Sequence, residues 1–130
     1  MEHWFTVLVI TPGAFGRRQE ILKDLSFRGF HVKKAKTGRL SSEQAKLLLD
    51  DRPTPRADLT AGLAMVLRLE ARNPAYNPVE RLHYMIGPPD NDSPNSDNIF
   101  EQYTKTCDVP FVYAKTWEAA ICHASVLDLY

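Results

Sequence analysis

One run of residues decides the fold: residues 4–11 read WFTVLVIT and are followed at once by Pro12-Gly13. The run is made of β-branched, aliphatic and aromatic residues with no charge among them, which is typical of a strand that is buried on both faces. Proline and glycine then end the extended segment in a turn. The run therefore predicts a first strand inside the core, against which the remaining elements pack.

Helical and extended patterns alternate after this strand. Apolar residues recur at helical spacing within residues 21–27, and Gly29 provides the expected C-terminal stop. Residues 30–40 alternate loosely and contain several lysines, so they predict a half-solvated edge strand. Residues 41–44 (SSEQ) have the capping-box pattern that starts a second helix.

The second half of the chain continues the alternation. Residues 62–70 (GLAMVLRLE) predict a strand, and Asn77-Pro78 begins a helix that ends at Gly87. Residues 88–97 (PPDNDSPNSD) contain only turn-forming residues without an apolar anchor, so they predict a surface loop. The elements predicted after it are a short helical piece at 99–103, a strand at 109–114 and a helix capped by Thr116 that continues through Leu127. The order β-α-β-α-β-α-β-α predicts an α+β, ferredoxin-like (split βαβ) antiparallel sheet covered by helices.

Size and composition favour one globular domain over residues 1–130, either as a whole protein or as a piece of a longer polypeptide. The chain has 130 residues, of which 44% are hydrophobic and 25% are charged, so one core can form without a metal or a disulfide. The 16 basic residues balance the 16 acidic ones. A neutral chain is not drawn to nucleic acid or to an anionic membrane by its overall charge, so we predict neither as a partner.

The cysteines and the N-terminal residues indicate an intracellular setting. Cys107 and Cys122 are far apart and form no C-x-x-C pair, so they are interpreted as free thiols in a reducing compartment. The first residues lack the basic and apolar regions of a signal peptide, and no apolar run approaches the roughly 20 residues that span a bilayer. We predict a cytoplasmic protein, either free or attached to an intracellular structure.

The order of several fragments resembles the nucleoside diphosphate kinase family. Residues 5–15 (FTVLVITPGAF) resemble that family's opening strand and Lys-Pro-Asp-Gly turn, and residues 64–67 (AMVL) match its Ala-Met-Val core strand. Residues 20–30, with their Arg-Gly-Phe ending, and the capped segment from Leu40 resemble its first two helices. From Asn77 to Tyr113 the similarity continues without a gap. The resemblance covers nearly the whole chain and implies the family's fold.

The family's chemistry, transfer of a γ-phosphoryl group through a phosphorylated histidine, is not implied for this chain. Such a site neutralises phosphate charge with cationic groups and Mg²⁺. The resemblance places the family's first-turn lysine and acidic residue at Thr11 and Gly13. It places the family's two arginines at His83 and Phe100, and its threonine at Pro89. The asparagine and the catalytic histidine fall on Pro110 and Tyr113. The Ser-Asp after the histidine becomes Lys115-Thr116, and the base-stacking phenylalanine falls near Thr54-Pro55. We therefore predict no catalytic residue and no cofactor.

Two residues remain candidate ligand-binding groups. Arg17 lies with Arg18 in the first turn of a predicted helix, where an anion can dock, and the alternative is a solvated helix face. His83 is either a phosphate-binding residue or a partly exposed helix residue, and His123 is interpreted as a favourable cation near a helix C-terminus. The four histidines are scattered without ligand spacing, so we predict no metal site.

Two residue groups have competing interpretations. Tyr113, Phe111 and Phe100 form either an aromatic lining in place of a polar cleft or ordinary core packing. The basic cluster in the edge strand either resists aggregation or forms a protein-docking surface; it consists of Lys33, Lys34, Lys36 and Arg39.

The sequence predicts a catalytically inactive domain of the nucleoside diphosphate kinase type that serves as a protein-interaction or assembly module. The resemblance implies settings in which degenerate domains of this type occur, such as ciliary, flagellar and cytoskeletal proteins. It also implies a homodimer through the second strand and first helix, although the lysines crowd that edge with like charge. The alternative function is a domain that binds a nucleotide or another phosphorylated ligand without turning it over.

Overall fold

The computed structural model describes residues 4–48, 59–73, 75–86, 111–114 and 116–129, and of residues 83–86 only the helical backbone. The strands and the principal helices in chain order are β1 (Thr6–Ile10), α1 (Arg18–Phe27), β2 (Phe30–Arg39), α2 (Ser42–Leu48), β3 (Leu63–Ala71), α3 (Pro78–Ile86), β4 (Phe111–Tyr113) and α4 (Trp117–Val126). No helix in the described ranges is both long enough and apolar enough to span a bilayer.

The four strands form one sheet in the order β2-β3-β1-β4, and every neighbouring pair is antiparallel. This order confirms the predicted α+β, ferredoxin-like sheet. β1 lies in the interior of the sheet and all five of its residues are buried, as its uninterrupted apolar sequence predicts. β2 is an edge strand, which confirms the prediction made from its lysines.

Helices cover both faces of the sheet because successive side chains of a strand point to opposite sides. One face, here called the α1 face, packs against Ile21 and Leu25 of α1; its strand residues are Leu8, Ile10, Phe30, Leu67, Leu69, Phe111 and Tyr113. The opposite face, called the α4 face, packs against α2 and α4; its strand residues are Val7, Val9, Ala64, Val66 and Val112. The sheet is therefore the middle layer of the molecule.

The N-termini of α2 and α4 have the side-chain caps that the sequence predicts. The backbone N–H of Gln44 donates to Ser41 Oγ at 3.1 Å, and the Ser41 N–H donates to Gln44 Oε1 at 2.9 Å, which is a complete capping box. Thr116 Oγ1 accepts from the Ala119 N–H at 3.1 Å at the start of α4. Such caps each stabilise a helix by about 1 kcal/mol, so these starts are determined locally.

Some boundaries differ from the sequence prediction. Residues 12–17 form a 3₁₀-helix rather than a simple turn, because Pro12 supplies a helical φ at its first position. β2 has a register irregularity between Val32 and Lys34. The predicted loop 88–97 and helical piece 99–103 lie outside the described residues.

Gly29 ends α1 with a φ of +95°, and it is the only described glycine with a positive φ. We expect Gly29→Ala to lower the free energy of unfolding by about 1–2 kcal/mol, because a Cβ in the left-handed region contacts the following carbonyl oxygen. Urea denaturation measures the change. Gly16→Ala is the matched control, since an added Cβ there meets nothing within 4 Å. An equal loss in both variants would contradict the conformational explanation.

Candidate functional site

Tyr113 lies in β4 opposite Leu8 of β1, and its side chain points to the α1 face. Only 5% of the residue is exposed. It packs within the same apolar cluster as Leu8, Ile10 and Phe111. Of the two interpretations that the sequence left open, the structure therefore gives core packing for both Tyr113 and Phe111. The third aromatic residue of that hypothesis, Phe100, lies outside the described residues.

Thr11 follows β1 directly, where the resemblance assigns a lysine. It is 1% exposed, and its carbonyl oxygen accepts from the Ala14 N–H at 2.9 Å, which closes the first turn of the 3₁₀-helix. Gly13 is exposed in that turn. A buried threonine has a hydroxyl but no positive charge, so this position contributes no cation that could neutralise a phosphate.

The two arginines after this turn make local contacts. Arg17 Nη2 lies 2.7 Å from Glu20 Oε2, and the two side chains are 31% and 59% exposed. Arg18 donates to the Phe15 carbonyl at 3.1 Å and stacks on the Phe15 ring at 4.2 Å. An exposed ion pair contributes about 0–1 kcal/mol, so an anionic ligand could displace Glu20 from Arg17 at little cost.

The second predicted ligand group, His83, lies on α3, but its side chain is outside the described residues. The same holds for the positions of Thr54-Pro55, Pro89, Pro110 and Lys115. The neighbouring residue Leu82 is fully buried in the α1 face. Of the residues assigned to the family's phosphate site, the structure thus places Thr11, Gly13 and Tyr113, and these provide no charged side chain.

His123 is buried in α4, with 6% of its surface exposed. His123 lies in the last turn of α4, where the sequence placed it, and its burial is a feature that the sequence did not predict. Cys122, the next residue back, is exposed as a free thiol. Within the described part of the chain, no group of three or more histidine, cysteine or acidic side chains could hold a metal ion.

The basic cluster of β2 is partly engaged with the C-terminal residues. Lys36 Nζ donates to the Asp128 carbonyl at 2.7 Å and lies 3.2 Å from Asp128 Oδ2. Gln44 Nε2 donates to the Val126 carbonyl at 3.3 Å, beside an open groove of about 180 Å³ between β2 and Leu127. The expected crowding of like charge along β2 is thus reduced, since one of its lysines has a carboxylate partner.

Arg68 is a residue to which the sequence gave no role. Its guanidinium lies 4.4 Å from the centre of the Phe5 ring, and its Nη1 donates weakly to the Leu129 carbonyl at 3.4 Å. Phe5 in turn contacts Trp117 of α4 at 5.0 Å between ring centres. These contacts join β3, the residue before β1, α4 and the C-terminal residues. The only feature of the sequence that could have pointed to this role is the presence of one arginine within an otherwise apolar stretch of the strand.

Tyr113 is a buried member of the apolar cluster on the α1 face. A phenol has an ordinary pKa near 10 and is a weak nucleophile at neutral pH unless a base activates it. The members of its hydrophobic cluster include Leu8, Ile10 and Phe111. Burial in such a cluster stabilises an aromatic ring by about 1.5–3 kcal/mol, which explains why a tyrosine is stable at this position.

The sequence matches no protein-family model and no curated protein. Among solved structures, the chain is similar to the nucleoside diphosphate kinase of Aquifex aeolicus in an orthorhombic crystal form, with a TM-score of 0.70 and 18% sequence identity. The similarity covers 97% of this chain and 95% of that one. A similarity at such low sequence identity supports an inference about the fold and none about the activity. Together with the observed sheet order, the similarity shows that this chain has a nucleoside diphosphate kinase-like fold.

Proposed function

We propose that residues 1–130 are a single, catalytically inactive domain of the nucleoside diphosphate kinase type that serves as a protein-interaction or assembly module. Its setting would be a larger cytoplasmic protein, such as one of a cilium, a flagellum or the cytoskeleton. Its partners would be proteins, including a second copy of this chain. Light scattering on the purified chain, of mass 14.8 kDa, distinguishes a homodimer from a monomer that binds a different protein.

The burial of Tyr113 is the single observation that supports this proposal best. At the position that the resemblance assigns to the catalytic histidine, a phenol 5% exposed packs among apolar side chains. Thr11, 1% exposed, adds no charge on the adjoining turn. Loss of one group that stabilises a transition state typically costs about 2.7–4 kcal/mol. The replacement of several such groups at once supports an inactive domain.

The alternative function, binding of a nucleotide or another phosphorylated ligand without turnover, has one observation in its favour. Arg17 lies just before the first residue of α1, and its exposed pairing with Glu20 is weak. His83 is the second group that this alternative requires. We rank it below the interaction module, because the described residues at the positions assigned to the family's phosphate site, Thr11, Gly13 and Tyr113, carry no charged side chain.

We expect the purified chain to show no micromolar affinity for Mg²⁺-ATP in titration calorimetry and no transfer of labelled phosphate to a nucleoside diphosphate. The physical reason is that the described residues at the assigned phosphate positions, Thr11, Gly13 and Tyr113, provide no cationic group. The Aquifex aeolicus kinase, assayed in parallel, is the positive control. Micromolar binding that is lost in Arg17→Ala and retained in Lys23→Ala would contradict the proposal and favour the ligand-binding alternative. Phosphate transfer lost in His83→Ala would instead indicate a residual enzyme.

A further inference from the structure

Two exposed aromatic residues are linked to the C-terminal end of α1, Phe27 as its last residue and Tyr76 through Arg81. Phe27, the last residue of α1, is 91% exposed, and Tyr76 in the connection between β3 and α3 is 50% exposed. Two arginines hold this connection against the end of α1. We call the set of Phe27, Arg72, Tyr76 and Arg81 the Phe27 surface. A phenylalanine this exposed gains nothing from the core of its own chain.

The first of the arginines, Arg72, links the residues after β3 to the last turn of α1. Its Nη2 donates to Ser26 Oγ at 2.5 Å, and its backbone N–H donates to the Gly29 carbonyl at 2.9 Å. The guanidinium is therefore held beside the residue that precedes Phe27. A hydroxyl partner fixes the position of Arg72 without neutralising its charge.

The second arginine, Arg81, comes from α3 and reaches the residue that follows Phe27. Its Nη2 donates to the Arg28 carbonyl at 3.3 Å, and its guanidinium lies 4.8 Å from the centre of the Tyr76 ring. This cation–π contact orders the tyrosine as well as the arginine. The two arginines are thus anchored on the two residues that flank Phe27 in the chain.

The charges of the Phe27 surface are not balanced by the described residues. Arg28 has its own carboxylate, since its Nε lies 3.0 Å from Asp24 Oδ1 and both side chains are only 18% exposed. For Arg72 and Arg81, no carboxylate lies within ion-pair distance in the described part of the chain. Two ordered positive charges therefore accompany an exposed aromatic ring.

We infer that the Phe27 surface docks an acidic segment of a partner protein, with an apolar side chain on Phe27 and Tyr76 and carboxylates on Arg72 and Arg81. The inference rests on the proposed role as an interaction module and names its docking surface. Arginine and aromatic residues are enriched at protein interfaces, and the guanidinium fork matches a carboxylate. Because both arginines are already anchored, less side-chain entropy is lost on docking.

A peptide is favoured over a nucleic acid as the occupant. Binding of nucleic acid depends on neutralising many phosphates, whereas this chain has no net charge and the surface offers two uncompensated cations. The exposed ring instead needs an apolar group to cover it. A segment with one apolar residue between two acidic ones satisfies both requirements.

The test is an NMR titration of the ¹⁵N-labelled chain with a short peptide that has a Glu-Phe-Glu core in a Gly-Ser background. We expect saturable shifts at Ser26, Phe27, Arg28, Arg72 and Tyr76. A peptide with a Gln-Phe-Gln core should bind the unaltered chain at least about tenfold more weakly than the Glu-Phe-Glu peptide does. The Glu-Phe-Glu peptide should bind a chain carrying both Arg72→Glu and Arg81→Glu more weakly by the same factor. Binding should also weaken toward about 1 M salt, where the Debye length is about 3 Å.

Lys46→Glu on α2 is the matched charge-reversal control, because this exposed lysine lies on the opposite side of the sheet. The Lys46→Glu variant should bind the peptide as tightly as the unaltered chain does. The Phe27→Ala variant should bind it more weakly. Absence of saturable shifts, or an equal loss in Lys46→Glu, would overturn the inference. So would tighter binding of an oligothymidylate to the same residues. Peptide-induced shifts at a different surface would contradict only the inference about the Phe27 surface. Nucleotide binding in the calorimetric test would instead contradict the proposed interaction module.

Discussion

Replacement of Phe111 by alanine is expected to lower the free energy of unfolding by about 3–5 kcal/mol, the range found for large-to-small changes in a core. Phe111 is 2% exposed and pairs with Ile10 of β1. Its ring fills the α1 face between the edge strand β4 and the helix layer. Since domains have a total stability of about 5–15 kcal/mol, this one truncation could remove a large part of it.

Urea denaturation followed by circular dichroism measures this loss. Phe27→Ala is the matched control because it removes the same side chain from a position that is 91% exposed, and it should change stability by no more than about 0.5 kcal/mol. A loss below about 1 kcal/mol for Phe111→Ala would contradict the placement of β4 in the cooperative core. Equal losses for both variants would do so as well.

Replacement of Tyr113 by histidine is expected to lower stability by about 2–4 kcal/mol and to restore no phosphoryl transfer. The smaller imidazole leaves space in a packed cluster and replaces one hydroxyl by two polar ring nitrogens in an apolar environment. Restoring the nucleophile restores none of the cationic groups, and phosphoryl transfer depends chiefly on them. The substitution is therefore costly to the fold and without benefit to the chemistry.

Denaturation and an assay for acid-labile phosphate after incubation with Mg²⁺-ATP measure the two effects of Tyr113→His. Tyr113→Phe keeps the ring, so it should remain within about 1.5 kcal/mol of the unaltered chain. Phosphohistidine at position 113 would contradict the proposed loss of phosphate recognition. A histidine variant as stable as the unaltered chain would contradict the tight packing around this residue.

The sequence predicted those elements of the fold whose causes are local. The cap at Ser41 and Gln44, the cap at Thr116 and the stop at Gly29 each depend on residues within one turn. β1 was also predictable, because a strand buried on both faces needs an uninterrupted apolar run. The 3₁₀-helix after it was not, since a proline-glycine turn is compatible with several backbone conformations.

Contacts between distant residues were not predictable from one sequence. The contact of Lys36 with Asp128 and that of Arg72 with Ser26 depend on which strands become neighbours. The burial of His123 was not predicted, because an apolar helix face is hard to locate by periodicity when small residues such as alanine are as frequent as in α4. In each case the tertiary arrangement, rather than a local preference, determines the environment of the side chain.

The candidate site was predictable only through the resemblance. Composition and spacing identify Tyr113 as a strand residue, and only the family's pattern gives its position a chemical meaning. The burial of Tyr113 then depends on its register against Leu8, because a shift of one residue would move the side chain to the other face. The sequence thus identified the residue at this position, and the pairing of β4 with β1 determined that its side chain is buried.

The aromatic contact between Trp4, just before β1, and Trp117 of α4 provides an intrinsic fluorescence probe. The chain has two tryptophans, and Trp4 and Trp117 lie together with ring centres 5.0 Å apart. Their emission therefore reports how α4 sits on the sheet, whereas Phe111 and Tyr113 lie on the opposite face. If fluorescence and circular dichroism give the same midpoint in the Phe111 variant, the two layers melt as one unit. Different midpoints would reveal an intermediate that retains one layer.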